Sequence, residues 1–158
     1  MAEKDAAPPR LPLNASMTLI VQARVVEARV EARLADLGLS LRRMGLLGHL
    51  RATPGISFSE LARRAGIKVQ SLQPLVRGLI DSGHVTTVGG VGQGRAAVVH
   101  LTDRGGEVLD RAAEALVELD EEIFAEGPQK ELGTALLHVA EAFRSGAGRA
   151  AATPPSRS

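Results

Sequence analysis

Between Leu61 and Thr102 the chain carries five cations, Arg63, Arg64, Lys68, Arg77 and Arg95, and a single carboxylate, Asp81. Phosphates repel carboxylates and reward cations, so a compact segment of this composition suits contact with a nucleic-acid duplex. The net charge of +1 hides this segregation. Glu107 to Glu131 is acidic, with Asp110, Glu114, Glu118, Asp120, Glu121, Glu122 and Glu126. Separation of this kind lets one face of a protein meet a polyanion, and it is equally what a solvated helix face produces.

Other chemistries find little to work with. There is no cysteine, which removes disulfides, thiolate metal sites and thiol redox chemistry. His49, His84, His100 and His138 are scattered without an H-x-x-x-H pair, and no serine nucleophile is paired with a base, so neither a metal site, a cofactor nor an enzyme activity is expected. The glycines of Gly89–Gly94 join two strands, and the third glycine of a dinucleotide loop would fall at Arg95, so that reading fails. Phe58, Phe124 and Phe143 are the only aromatic residues, too few for the stacking platforms of single-strand or RNA binders. No apolar run approaches the ~20 residues of a membrane span, and no signal peptide is discernible. A cytoplasmic protein without membrane contact is expected.

The elements that position the basic segment are written in caps and periodicity. Residues 1–12 form a proline-punctuated, flexible arm. Asn14 caps a long first helix, within 13–38, on which Val21, Val25, Ala28, Ala32 and Ala35 form a heptad seam. Ser40 caps a second helix carrying Met44, Leu46, Leu47 and Leu50. Ser57-Phe58-Ser59-Glu60 reads as a capping box opening a third helix, which stops at Gly66. A fourth helix turns Leu72, Leu75, Val76, Leu79 and Ile80 inward and ends at Gly83. Val85–Val88 and Ala96–Leu101 alternate as the strands of a glycine-tipped hairpin. Thr102 caps a fifth helix with a seam through Val108, Leu109, Ala112, Leu116, Leu119 and Ile123. Pro128 starts a sixth, with Leu132, Leu136, Val139 and Phe143. A disordered tail is expected over 145–158. The fold class is therefore mainly α, a winged helix-turn-helix of about six helices and a two-stranded β wing. The 39–102 lobe is flanked by terminal helices, 13–38 and 103–144, whose seams call for burial in a homodimer or in an intramolecular bundle.

Over Leu39 to Leu119 the chain resembles the MarR family of winged helix-turn-helix transcriptional regulators. The resemblance rests on Leu39–Leu47, on Ser59-Glu60-Leu61-Ala62 with Gly66-Ile67, and on Leu75-Val76-x-x-Leu79 with Gly83-x-Val85. It continues in Arg95-Ala96 leading to Val99-His100-Leu101-Thr102-x-x-Gly105. It implies a dimer whose fourth helix enters the major groove and whose wing reaches the minor groove of double-stranded DNA. On that basis Gln70, Ser71 and Gln73 face the base edges. Lys68 and Arg77 meet phosphates, as do Ser57 and Ser59 at the third helix's N-terminus, and Arg95 is the wing arginine. It further implies repression of a pseudo-palindromic operator, with release by a small phenolic or carboxylated effector near Arg24 and His49.

Two departures from the family pattern bear on DNA contact. Gln93 stands where relatives carry the acid that pairs with the wing arginine. Pro74 falls within the fourth helix, and together with Val69 it occupies a position that is often arginine. A helix-interior proline costs ~3 kcal/mol, so the helix is expected to start late, with Ser71 as N-cap. The alternative function that these departures keep open is a winged-helix protein-interaction module with weak or no sequence-specific DNA binding.

Overall fold

The structure is a computed structural model that describes residues 14–88 and 97–145. Among these residues there are six helices: α1 (Ala15–Ala35), α2 (Leu41–Ala52), α3 (Phe58–Arg64), α4 (Val69–Asp81), α5 (Asp103–Ile123) and α6 (Gly127–Arg144). Three short strands, β1 (Ile56–Ser57), β2 (Val85–Val88) and β3 (Val98–Leu101), form one antiparallel sheet in the order β1-β3-β2. The N-terminal arm, the tail from residue 146 and the hairpin tip with Gln93 and Arg95 lie outside the described residues.

Local chemistry sets the helix starts where the sequence places them. Asn14 Oδ1 accepts the Met17 N–H at 2.9 Å, Ser40 Oγ that of Arg43 at 3.3 Å, and Thr102 Oγ1 that of Gly105 at 3.0 Å. Each bond satisfies a first-turn donor that the helix itself leaves open. Gly66 and Gly83, with φ of 67° and 75°, end α3 and α4 in the left-handed region, where a side chain would be strained. Both stops add a second return bond, Ile67 N–H to the Ala62 carbonyl and His84 N–H to the Leu79 carbonyl.

The structure corrects three expectations. The sheet has three strands, not two: Ile56 pairs with Val99 and Ser57 with Val98, and the Phe58 N–H donates to the Ala97 carbonyl at 2.9 Å. A two-residue strand has no alternation to read, and it forms because Ile56 is buried against the lobe. The capping box is one-sided. Ser57 Oγ accepts the Glu60 N–H at 3.2 Å, but the Glu60 carboxylate turns to Arg63 and Arg64.

The third correction concerns α4, which does not start late. It runs unbroken from Val69 to Asp81 with Lys68 as N-cap, and Pro74 lies inside it. The Ser71 and Leu72 N–H groups both reach the Lys68 carbonyl, at 2.9 and 3.1 Å, closing the first turn ahead of the proline. Leu72, Val76 and Leu79 are all fully buried and anchor the helix on both sides of Pro74, while the two bonds to the Lys68 carbonyl form the first turn despite it.

One core joins the lobe to the long helices: Leu46, Leu47 and Leu50 from α2, Leu61 from α3, the inner row of α4, Val99 from β3, and Val108, Leu109 and Ala112 from α5, with Leu34 of α1. The α5 seam is thus internal. The seams of α1 and α6 are not. Val21 and Val25 are each 52% exposed, Val139 52% and Phe143 65%, and α6 buries no residue. Arg51 ties α2 to α5, donating to Asp110 Oδ1 at 2.7 Å and to the Gly106 carbonyl at 2.8 Å. Arg33 and Arg29 of α1 reach Glu122 of α5 at 2.6 and 3.1 Å. Part of the acidic run is therefore spent on joining helices.

Candidate nucleic-acid interface

A helix turns about 100° per residue, so burying Leu72, Val76 and Leu79 fixes what α4 shows to the outside. Gln70, Gln73, Pro74 and Arg77, spaced i, i+3, i+4 and i+7, form one exposed row. Ser71 is exposed to one side of that row, and Arg77 ends it rather than flanking it. Lys68 caps the helix through its backbone alone, extended at φ −71° and ψ 148°, with no side-chain capping bond. The positive end of the α4 dipole lies beside this exposed lysine.

At the start of α3, Ser57 and Ser59 are both half-buried, and the Ser57 hydroxyl is engaged as the cap. The neighbouring Glu60 reads in the sequence as a capping-box partner and not as part of the interface. Its carboxylate accepts from Arg63 at 2.8 and 2.6 Å and from Arg64 at 2.9 Å, while Arg64 also donates to Thr53 Oγ1 at 2.6 Å. These bonds hold the Glu60 carboxyl down to about 2, and they raise Arg63 above its ordinary value. Two of the five cations of the basic segment are therefore tethered. The signal lay in the sequence, since glutamate followed at i+3 and i+4 by arginine places all three on one helix face.

Arg24 does not line the cleft that His49 lines. Arg24 is exposed on α1. His49 is half-buried on α2 and lines a cleft of about 400 Å³ with Arg42, Gly45, Leu46 and the turn Ala65-Gly66-Ile67 that leads into α4. A second cleft, of about 470 Å³, lies between α1, α5 and α6 and is lined by Val26, Phe124, Lys130, Leu136 and Leu137 among others. Among the described residues no three histidine or acidic side chains are grouped as metal ligands would be.

Behind α4 sits a tight joint to α5. His84, only 6% exposed, places Nδ1 3.0 Å from the Ser82 hydroxyl, which itself reaches the Gly78 and Leu79 carbonyls at 3.0 and 3.1 Å. Burial holds the His84 imidazole below its ordinary value, and the charges of Arg104 and Arg43 add to the effect. The His84 carbonyl accepts the Thr102 N–H at 3.1 Å, and Thr102 Oγ1 donates to the Gly83 carbonyl at 2.7 Å. Gly105 packs so closely here that a Cβ would lie 2.1 Å from the His84 oxygen. The end of the Arg43 side chain lies beside the bare backbone of Gly78 in α4.

Comparison with known proteins agrees with this geometry. The MarR family model matches residues 37–96. The HTH-type transcriptional repressor Rv2887 of Mycobacterium tuberculosis (strain ATCC 25618 / H37Rv) is 39% identical over 93 residues, 59% of this chain. That stretch spans 66% of the relative, just under two thirds of its length. The solved structure of the M. tuberculosis MarR family protein Rv2887 in complex with DNA is similar at TM-score 0.64 and 28% identity, covering 80% of this chain and 98% of that one. Its complex with salicylic acid is similar at TM-score 0.59 and 30% identity, covering 81% and 96%. The chain belongs to the MarR family of winged helix-turn-helix transcriptional regulators.

Proposed function

We propose that this protein is a cytoplasmic, homodimeric repressor that binds a pseudo-palindromic DNA duplex and performs no catalysis. The observation that carries the reading is α4, whose inner residues Leu72, Val76 and Leu79 are fully buried while Gln70, Gln73 and Arg77 stand in one outward row. Lys68 at its N-terminus and Ser57 and Ser59 at the start of α3 are the proposed phosphate contacts, with Ser71 beside the reading row. Arg95 is the proposed minor-groove contact. The uncovered apolar faces of α1 and α6 support pairing of two copies, which would set the two α4 helices about one duplex turn, ~34 Å, apart. The DNA complex of the Rv2887 relative supports the same reading.

For the effector we propose a small carboxylated or phenolic molecule in the cleft beside His49, with Arg42 as the anion partner. The cleft abuts the turn that leads into α4, so an occupant there would bear on the recognition helix. The salicylic acid complex of the relative supports this chemical class. Arg24 does not line this cleft and is left out of the proposal.

The test is fluorescence anisotropy with DNA from upstream of the protein's own coding sequence against random duplex, at two salt concentrations. Preferential binding that falls steeply with salt is expected. Equal affinity for both duplexes would instead favour a protein-interaction module, the reading that Pro74 on the outward face keeps in play.

A further inference from the structure

Pro74 stands at the centre of the outward row of α4, between Gln70, Gln73 and Arg77. It is exposed and takes no part in the core. A proline within a helix removes a backbone donor and costs ~3 kcal/mol, yet here it contributes nothing to packing inside the chain. A residue that breaks the local rule without an internal return marks a place where something outside the chain is met.

The neighbours of Pro74 indicate what that is. Gln70 and Gln73 carry the paired donor and acceptor that match the N6/N7 edge of adenine. Between them the pyrrolidine ring offers a rigid, apolar surface with no hydrogen-bonding group on the side chain. In the major groove the apolar feature of a base edge is the thymine 5-methyl group. From Gln70 to Arg77 the helix advances about 10.5 Å, the length of roughly three base pairs. A row of glutamine, glutamine, proline and arginine therefore matches a short A·T-containing step, with a methyl against the ring. Val69, 40% exposed in the first turn, adds a second apolar side chain at the entry to this row.

We infer that Pro74 is a specificity-determining residue that selects a thymine in each operator half-site by contact with its 5-methyl group. The inference rests on the DNA-binding reading above. It assigns the outward proline a role in choosing the site rather than in weakening contact with DNA.

The experiment separates the two. The full chain is used to select sites from a random-sequence duplex pool. Each thymine of the selected site is then replaced in turn by deoxyuridine, which removes only the methyl, and affinity is measured by anisotropy at fixed salt. One thymine per half-site is expected at which this replacement weakens binding about fourfold, the equivalent of ~0.8 kcal/mol for a buried methyl group. Pro74→Ser, which relieves the helix of its proline, is expected to bind the thymine and deoxyuridine duplexes equally. Sequence-specific binding with no sensitivity to deoxyuridine overturns the inference and leaves the regulator reading standing. So does a deoxyuridine penalty that persists in Pro74→Ser. A chain that selects no sequence from the pool overturns both.

Discussion

Replacing Gly105 with alanine tests the joint that fixes α4 against α5. The new Cβ would lie 2.1 Å from the His84 carbonyl oxygen, 3.0 Å from its carbon and 2.8 Å from Leu101 Cδ1, so the oxygen or the helix must retreat by about 0.9 Å to reach a 3.0 Å contact. Neither is free to do so. The carbonyl is held by the Thr102 N–H, and α5 by Arg51 on Gly106 and Asp110. Overpacking costs ~1–3 kcal/mol, and straining the Thr102 bond about 1 more, against ~1 kcal/mol gained from the helix preference of alanine. A net loss of ~1–3 kcal/mol is expected. Gly106→Ala is the control. Its Cβ would meet only Arg51 Nη2 at 4.0 Å, so it should gain up to ~1 kcal/mol. The two variants should stand ~2–4 kcal/mol apart, or roughly 4–16 °C in Tm for a chain of this size. Thermal unfolding at one fixed protein concentration measures this, because association would shift Tm with concentration. Melting temperatures that agree within about 2 °C would refute the claim that Gly105 is dictated by the His84 carbonyl.

Three further outcomes follow from the geometry. Pro74→Ala should raise stability by ~2 kcal/mol, the ~3 kcal/mol helix cost less the ~1 kcal/mol that proline saves in unfolded-chain entropy; unchanged urea unfolding would show that α4 had already absorbed the proline. The Glu60 carboxyl is held at about 2 by Arg63 and Arg64, below 4.5, so its contribution to stability is full above pH 4.5 and is lost as pH falls towards 2. Glu60→Gln should flatten the acid limb of stability against pH in that window, and an unaltered limb would contradict the pairing. His84 is held below 6.5 in the fold, so the unfolded chain takes up its proton first and stability falls as pH drops below 6.5. In His84→Asn that slope should shrink, as read by denaturant unfolding between pH 5.5 and 7.5; an identical slope would remove His84 as its source.

What the sequence disclosed was what local chemistry decides. Asn14, Ser40, Ser57 and Thr102 each bond a donor three residues on, so their caps could be read from short windows and are all present. The inner row of α4 followed from its period, whereas the assignment of Gln70, Ser71 and Gln73 to the base edges came from the family resemblance. The tight contacts around α4 and α5 join residues distant in sequence: Gly105 against His84, Arg43 beside Gly78, and Arg51 on Gly106, which ties α2 to α5. No spacing rule announces them. The tethering of Arg63 and Arg64 lay between these cases. Its i+3 and i+4 spacing was present, but a capping box competes for the same Glu60 carboxylate, and only the packed geometry shows that the arginines hold it.

Pro74 shows why propensity and burial must be weighed on one scale. Taken alone, ~3 kcal/mol against a helix interior argues for a broken or delayed start. The helix does not stand alone. Its three fully buried residues, Leu72, Val76 and Leu79, are shared with the core of α2, α3 and α5, which keeps the helix in place on both sides of the proline. The core holds α4 in place, and because Pro74 faces outward the Gln70 carbonyl that it leaves without a helix donor can turn to water. That division of labour frees the outward row from any duty to the fold, so Gln70, Gln73, Pro74 and Arg77 can vary with the surface they meet while the helix keeps its place. It also separates the two kinds of test: substitutions in the buried row should move stability, and substitutions at Gln70, Gln73 and Arg77 should move affinity and base preference while leaving stability unchanged, Pro74 alone being expected to move both.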